Sequence, residues 1–285
     1  MIAVFDSGIG GLSVWRELYK LMPEQDYLYL SDSANCPYGT KPVDFIISRA
    51  ETITDFFISK GAEVIVIACN TATAAAVEHL RAKYSIPFVG MEPAIKPAAI
   101  ASKSGVVGVL ATANTFKGSL YNTTLEKFAS NIKVIERVGE GLVECVESGK
   151  FEGDEVETLL HRYIDDMKSE CADAIVLGCT HYPFLESAIS RIAGEGVTIF
   201  NPAPAVAMQT KRVIESIETR KESNSKYSFY STGDTKIMRS ILLQIDPKIS
   251  DNSIQTVELA QTFVFLLPPS ILFMIILCVL TNNLA

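Results

Sequence analysis

The chain has no excess of positive charge: 25 Lys and Arg stand against 33 Asp and Glu in 285 residues, a net charge of −8. Binding a nucleic acid or an anionic membrane normally needs a basic face, so neither partner is expected. Cysteine is scarce at six residues, none in a Cys-x-x-Cys pair, which excludes a disulfide-built scaffold and argues against structural zinc. The three histidines (His79, His161, His181) form no His-x-x-x-His spacing, and no metal or cofactor is expected. The opening Met1-Ile2-Ala3-Val4-Phe5-Asp6 has no basic residue; it reads as a strand rather than a secretory leader, and a cytoplasmic location is expected. What remains is an ordinary globular mix, 48% hydrophobic and 20% charged, long enough for one large domain or two of usual size. Those proportions suit an enzyme acting on a small molecule.

Ile2 to Phe5 is a short apolar run followed at once by Asp6-Ser7-Gly8-Ile9-Gly10-Gly11, after which Leu12, Val14, Trp15, Leu18 and Leu21 recur at helical spacing. The alternation continues with a strand-like Tyr27 to Leu30, a helical Val43 to Ser59 and a strand-like Val64 to Ala68. Strands separated by helices predict an α/β fold with mainly parallel sheets flanked by helices, and ligands in such sheets gather at the carboxyl ends of the strands.

The chain also repeats itself. Gly61-Ala62-Glu63-Val64-Ile65-Val66-Ile67-Ala68-Cys69-Asn70-Thr71 overlays Cys171-Ala172-Asp173-Ala174-Ile175-Val176-Leu177-Gly178-Cys179-Thr180-His181 at a constant offset of 110 residues. Val107 to Thr112 likewise resembles Ile2 to Ser7. Two similar lobes are therefore expected, 1–93 with 208–258 and 94–207, with an active site in the cleft between them. Beyond them, 259–285 carries no charge and is almost wholly apolar from Phe263 to Leu280. Pro268-Pro269-Ser270 leaves too short an unbroken run to cross a bilayer, so a packed or poorly structured tail is favoured over a membrane anchor.

The repeat puts Cys69 and Cys179 at equivalent strand ends, each followed by two hydrogen-bonding side chains. Four uses of such a pair stand open: a disulfide, two packed thiols, a lone nucleophile at Cys179 helped by His181, or two acid/base groups on opposite faces of one carbon. The last uses both residues and needs no cofactor, because a thiol with an ordinary pKa near 8.5 gives or takes a proton around neutrality.

Phe5-Asp6-Ser7-Gly8-Ile9-Gly10-Gly11-Leu12, Asp32 with Pro37-Tyr38-Gly39, Ala68-Cys69-Asn70-Thr71-Ala72 and Gly178-Cys179-Thr180-His181-Tyr182-Pro183 occur in an order that resembles the glutamate racemases of the cofactor-independent aspartate/glutamate racemase superfamily. The resemblance spans about residues 2–258. It implies interconversion of L- and D-glutamate for peptidoglycan, without a cofactor, by a homodimer. Cys69 and Cys179 would be the acid/base pair, Asp6, His181 and Glu147 their helpers. Asp6, Ser7, Tyr38, Gly39, Asn70, Thr71, Thr180 and His181 would hold the substrate. An aspartate racemase and a non-catalytic amino-acid-binding protein are the alternatives. Each helper has a plainer role to set beside this: Asp6 as a helix cap, Tyr38 as cleft lining, His181 as a structural histidine, Glu147 as a solvated helix residue. The stretch Leu142 to Gly149 lacks the Cys-Pro pair and the second proline found in many family members. Cys36, Cys145, Cys171 and Cys278 carry no motif, and packing is expected for all four.

Overall fold

All ten strands among the described residues pair in parallel, as the alternation of short β-type runs with longer helical ones predicts. The computed structural model describes residues 1–129, 131–217 and 226–259. Its strands are β1 (Ile2–Asp6), β2 (Tyr27–Ser31), β3 (Val64–Ile67), β4 (Phe88–Gly90), β5 (Val106–Ala111), β6 (Lys133–Val138), β7 (Ala174–Gly178), β8 (Thr198–Phe200), β9 (Tyr227–Ser231) and β10 (Ile254–Thr256). One sheet runs β10-β9-β2-β1-β3-β4 and the other β6-β5-β7-β8. Both are flanked by helices, which is why β1, β3 and β7 read as unbroken apolar runs buried along their whole length.

The repeat holds at the level of register. The overlay sets Ile2 on Val107 and Val64 on Ala174; in the structure Ile2 pairs with Val64 across β1 and β3, and Val107 with Ala174 across β5 and β7. The order β2-β1-β3-β4 is matched by β6-β5-β7-β8. The first sheet gains β9 and β10 on the β2 side, so these late strands return to it. The helix after β8 begins at Ala203 and runs to Ser216. Pro202 is suited to a helix start, and Asn201 Oδ1 accepts the Ala203 N–H at 3.0 Å.

On one face of the first sheet Trp15 stacks on Tyr19 and meets Phe229 edge-on, with centroids 5.2 and 5.0 Å apart. On the other, Ile46, Ile53 and Phe57 pack with Ala72, Ala76 and Leu80. Among the described residues no helix is long and apolar enough to cross a membrane. The expectation for the apolar tail falls, from residue 260 onward, outside the described residues, and Cys278 with it. Cys145 is buried. Cys171 is not packed as expected: it is exposed, with a left-handed φ of 64° in the turn between the helix Asp154–Ser169 and β7.

Candidate active site

The strand ends decide which side chains meet. Cys69 follows β3 and caps the helix Asn70–Lys83, its sulfur accepting the Ala72 N–H at 3.4 Å and donating to Ser7 Oγ at 3.6 Å. Cys179 follows β7, with its sulfur 3.6 Å from His181 Nδ1. Both thiols line one small cavity, together with Ser7, Tyr38, Gly39, Asn70, Thr71, Thr180 and His181. Its free space is on the scale of a single water. Roomier hollows on the surface contain no cysteine or histidine. Asn70 lies in the wall with its amide nitrogen and oxygen both buried and unpartnered among the described residues. A buried amide left this way costs free energy unless a ligand completes it.

Asp6 and Glu147 stand behind the lining rather than in it. Asp6 is fully buried at the end of β1; its Oδ2 accepts the N–H groups of Gly8 and Gly11 at 3.2 and 3.0 Å, and its Oδ1 the Thr180 hydroxyl at 3.2 Å. It thus ties the glycine-rich turn, from one sheet, to the loop after β7, from the other. Glu147 ends the helix Leu142–Glu147 and is no solvated residue: its Oε1 bonds His181 Nε2 at 2.6 Å and accepts the Ile9 N–H at 2.7 Å.

These contacts explain the glycines. A Cβ built on Gly10 would overlap the His181 ring, and one on Gly8 the Glu147 carboxylate. The turn is short of side chains so that groups from the other sheet can close over it. Gly10 does not have a positive φ, so Gly10→Ala tests sterics alone. Displacing the imidazole by about an ångström is expected to lower kcat on the order of 100-fold, with the folded far-ultraviolet spectrum retained. Steady-state kinetics beside that spectrum check it, and an unchanged kcat would mean the ring position is unimportant.

Burial lifts the Asp6 carboxyl above its ordinary value, with the nearby His181 acting in the opposite direction. Burial and the Asp6 charge push the Cys69 thiol upward, against the helix-end N–H of Ala72. Burial would lower the His181 pKa, but hydrogen bonds to Cys179, Cys36 and Glu147 outweigh it and leave the imidazole well above its ordinary 6.5. The imidazole on the Cys179 side thus holds its proton more tightly than usual, and so does the Asp6 carboxyl behind Cys69.

Three further groups matter that sequence reasoning passed over. Thr112 lines the cavity and bonds Thr71 Oγ1 at 2.8 Å; it is the repeat mate of Ser7, which is the signal that would have found it. Asp32 was quoted in a motif without a role. It accepts the Tyr38 hydroxyl at 2.6 Å and two Arg49 N–H groups at 2.7 and 3.0 Å, so Tyr38 offers the cavity its ring while its hydroxyl is engaged elsewhere. Cys36 packs against the core as expected, but it is only half-buried and its sulfur lies within 4.8 Å of a His181 nitrogen.

Residues 13–210 match the Asp/Glu/Hydantoin racemase family. The chain is 43% identical over 245 residues to a glutamate racemase of Ectopseudomonas mendocina, covering 85% of this chain and 92% of that protein. It is 42% identical over 250 residues to one of Methylococcus capsulatus, covering 87% and 92%. Among solved structures it resembles Escherichia coli glutamate racemase in complex with L-glutamate and an activator, with a TM-score of 0.81, 29% identity and coverage of 91% and 98%. It also resembles the Francisella tularensis enzyme in complex with D-glutamate, with a TM-score of 0.76, 30% identity and coverage of 90% and 97%.

Proposed function

Since the chain belongs to the Asp/Glu/Hydantoin racemase family, we propose that it interconverts L- and D-glutamate by proton transfer between Cys69 and Cys179, and so supplies D-glutamate for peptidoglycan. A homodimer and a cytoplasmic location belong to the same proposal. The observation that carries it is the convergence of the two thiols, each at the equivalent end of a repeated strand, on one cavity.

One thiolate removes the α-proton, leaving an enolate-like carbanion, and the thiol opposite returns a proton to the other face. The sum over substrate and enzyme is one inversion and one proton moved from sulfur to sulfur. The developing charge needs donors already in place and water excluded. Hydroxyls of Ser7, Thr71 and Thr180 and the unpartnered Asn70 amide stand at the cavity wall for the substrate's carboxylates. Among the described residues no cation pairs with Cys69, and the substrate's own ammonium brings one, favouring the thiolate when glutamate is bound. His181, held by Glu147, serves Cys179. A space this small must open to admit an amino acid, so opening and closing enter the cycle.

Pure L-glutamate, D-glutamate and L-aspartate incubated with the chain in D2O test this directly. Both glutamate enantiomers are expected to gain α-deuterium and lose optical purity, and aspartate to react roughly 10–200-fold more slowly, the discrimination one methylene supplies. Exchange into aspartate alone would transfer the assignment to an aspartate racemase. Glutamate bound without any exchange would leave a binding protein.

A further inference from the structure

His181 has two neighbours able to share a metal ion with it, Glu147 and Cys36, and Cys36 has no part in the proton transfer described above. A nitrogen of His181, the Cys36 sulfur and a carboxylate oxygen of Glu147 all lie within 4.8 Å of one another. They come from three separate places: the loop after β2, the helix Leu142–Glu147 and the loop after β7. We propose that Cys36, Glu147 and His181 form a binding site for one borderline-soft divalent cation, zinc above all, whose occupancy takes His181 out of service.

The donor set points to that class of ion. One imidazole nitrogen, one thiolate and one carboxylate oxygen are the three ligand types zinc accepts, and a thiolate in the set disfavours magnesium and calcium, which seek oxygen alone. Thiolate and carboxylate together balance the charge of a divalent ion. No lysine or arginine pairs with any of the three among the described residues; the positive group present is the imidazolium itself. The site has a way in, because Cys36 and Glu147 are half-buried while His181 is buried behind them. Glu147 keeps its second oxygen available, since its contacts to Ile9 and His181 both use Oε1.

Binding is an exchange. The Cys36 S–H bond breaks and a sulfur–metal bond forms, while the imidazolium gives up the proton on its coordinating nitrogen; both protons go to solvent. If the racemase assignment holds, an occupied site withholds the proton that His181 supplies at Cys179, and zinc inhibits. The ion is thus an inhibitor, distinct from any cofactor, and the binding claim stands apart from the catalytic one.

Cobalt(II) titrated into the full chain is the test, because thiolate coordination gives cobalt a near-ultraviolet charge-transfer band whether or not the protein turns over. One equivalent of cobalt is expected to produce the band, zinc to abolish it by displacement, and a chelator to reverse both zinc binding and inhibition. Cys36→Ala is expected to lose the band and to weaken zinc binding by at least the roughly tenfold that loss of a metal's outer partner costs. Cys36→Ser carries the same expectation should the alanine variant fold poorly. Exposed Cys171 and Cys179, whose sulfur lies 3.6 Å from the same imidazole, are competing thiols, and Cys171→Ser and Cys179→Ser are each expected to keep the band. Absence of a band in the parent chain, or a band that survives at Cys36→Ala and Cys36→Ser, would overturn the site.

Discussion

Cys69→Ser and Cys179→Ser are each expected to lower glutamate racemisation by about 1,000-fold or more, yet to leave α-proton exchange with solvent from one enantiomer. The enantiomer that still exchanges is expected to differ between the two variants. Each sulfur serves one face of the α-carbon, so removing either stops inversion while the survivor still lifts and returns a proton on its own side. A serine hydroxyl is a far weaker acid than a thiol and does not substitute, and a positioned general acid or base is worth about 100- to 10,000-fold. Proton NMR in D2O on each pure enantiomer, beside chiral chromatography, reads both quantities. The single-nucleophile alternative, with Cys179 and His181 alone, predicts that Cys69→Ser is harmless. A Cys69→Ser chain racemising at the parent rate would therefore end the two-thiol mechanism.

Much of this architecture was legible because it depends on local patterns. Parallel strands buried on both faces leave continuous apolar runs, as at Val64 to Ile67, and the carboxyl end of such a strand is where the next residues meet a ligand. A duplicated unit doubles that signal, and here it went as far as the register of β1 on β3 and β5 on β7. Side-chain direction was not legible. Tyr38 belongs to a motif and lines the cavity, but nothing in its neighbours says that its hydroxyl turns to Asp32. Nothing in the sequence around Asp6 says that its carboxylate accepts two backbone N–H groups and the Thr180 hydroxyl. The Cys36–Glu147–His181 group joins positions more than 30 residues apart at every step, and no spacing rule reaches that far. Arg49, in the helix Val43–Ser59, carries no motif; it is buried, and only the fold reveals its partner.

That partner gives the largest expected loss of stability. Asp32 is fully buried and accepts hydrogen bonds from Arg49, Tyr38, Asn35 and Thr232, the last two at 3.1 and 2.9 Å. Asp32→Ala leaves a buried guanidinium without its counter-charge and the Tyr38 hydroxyl without its acceptor. Breaking a buried pair from one side costs about 3–5 kcal/mol, which for a chain of this size lowers Tm by roughly 6–20 °C. Urea and thermal unfolding measure it. The same variant frees the Pro37-Tyr38-Gly39 wall, so KM is expected to rise in whatever fraction stays folded. Arg49→Met separates the two causes. Because replacing both members of a buried pair by apolar groups is often close to neutral, the Asp32→Ala/Arg49→Met chain is expected to be more stable than Asp32→Ala alone. If the double variant is no more stable, the stranded charge is not the source of the loss. The remaining acceptor bonds to Tyr38, Asn35 and Thr232 would then be what Asp32 contributes.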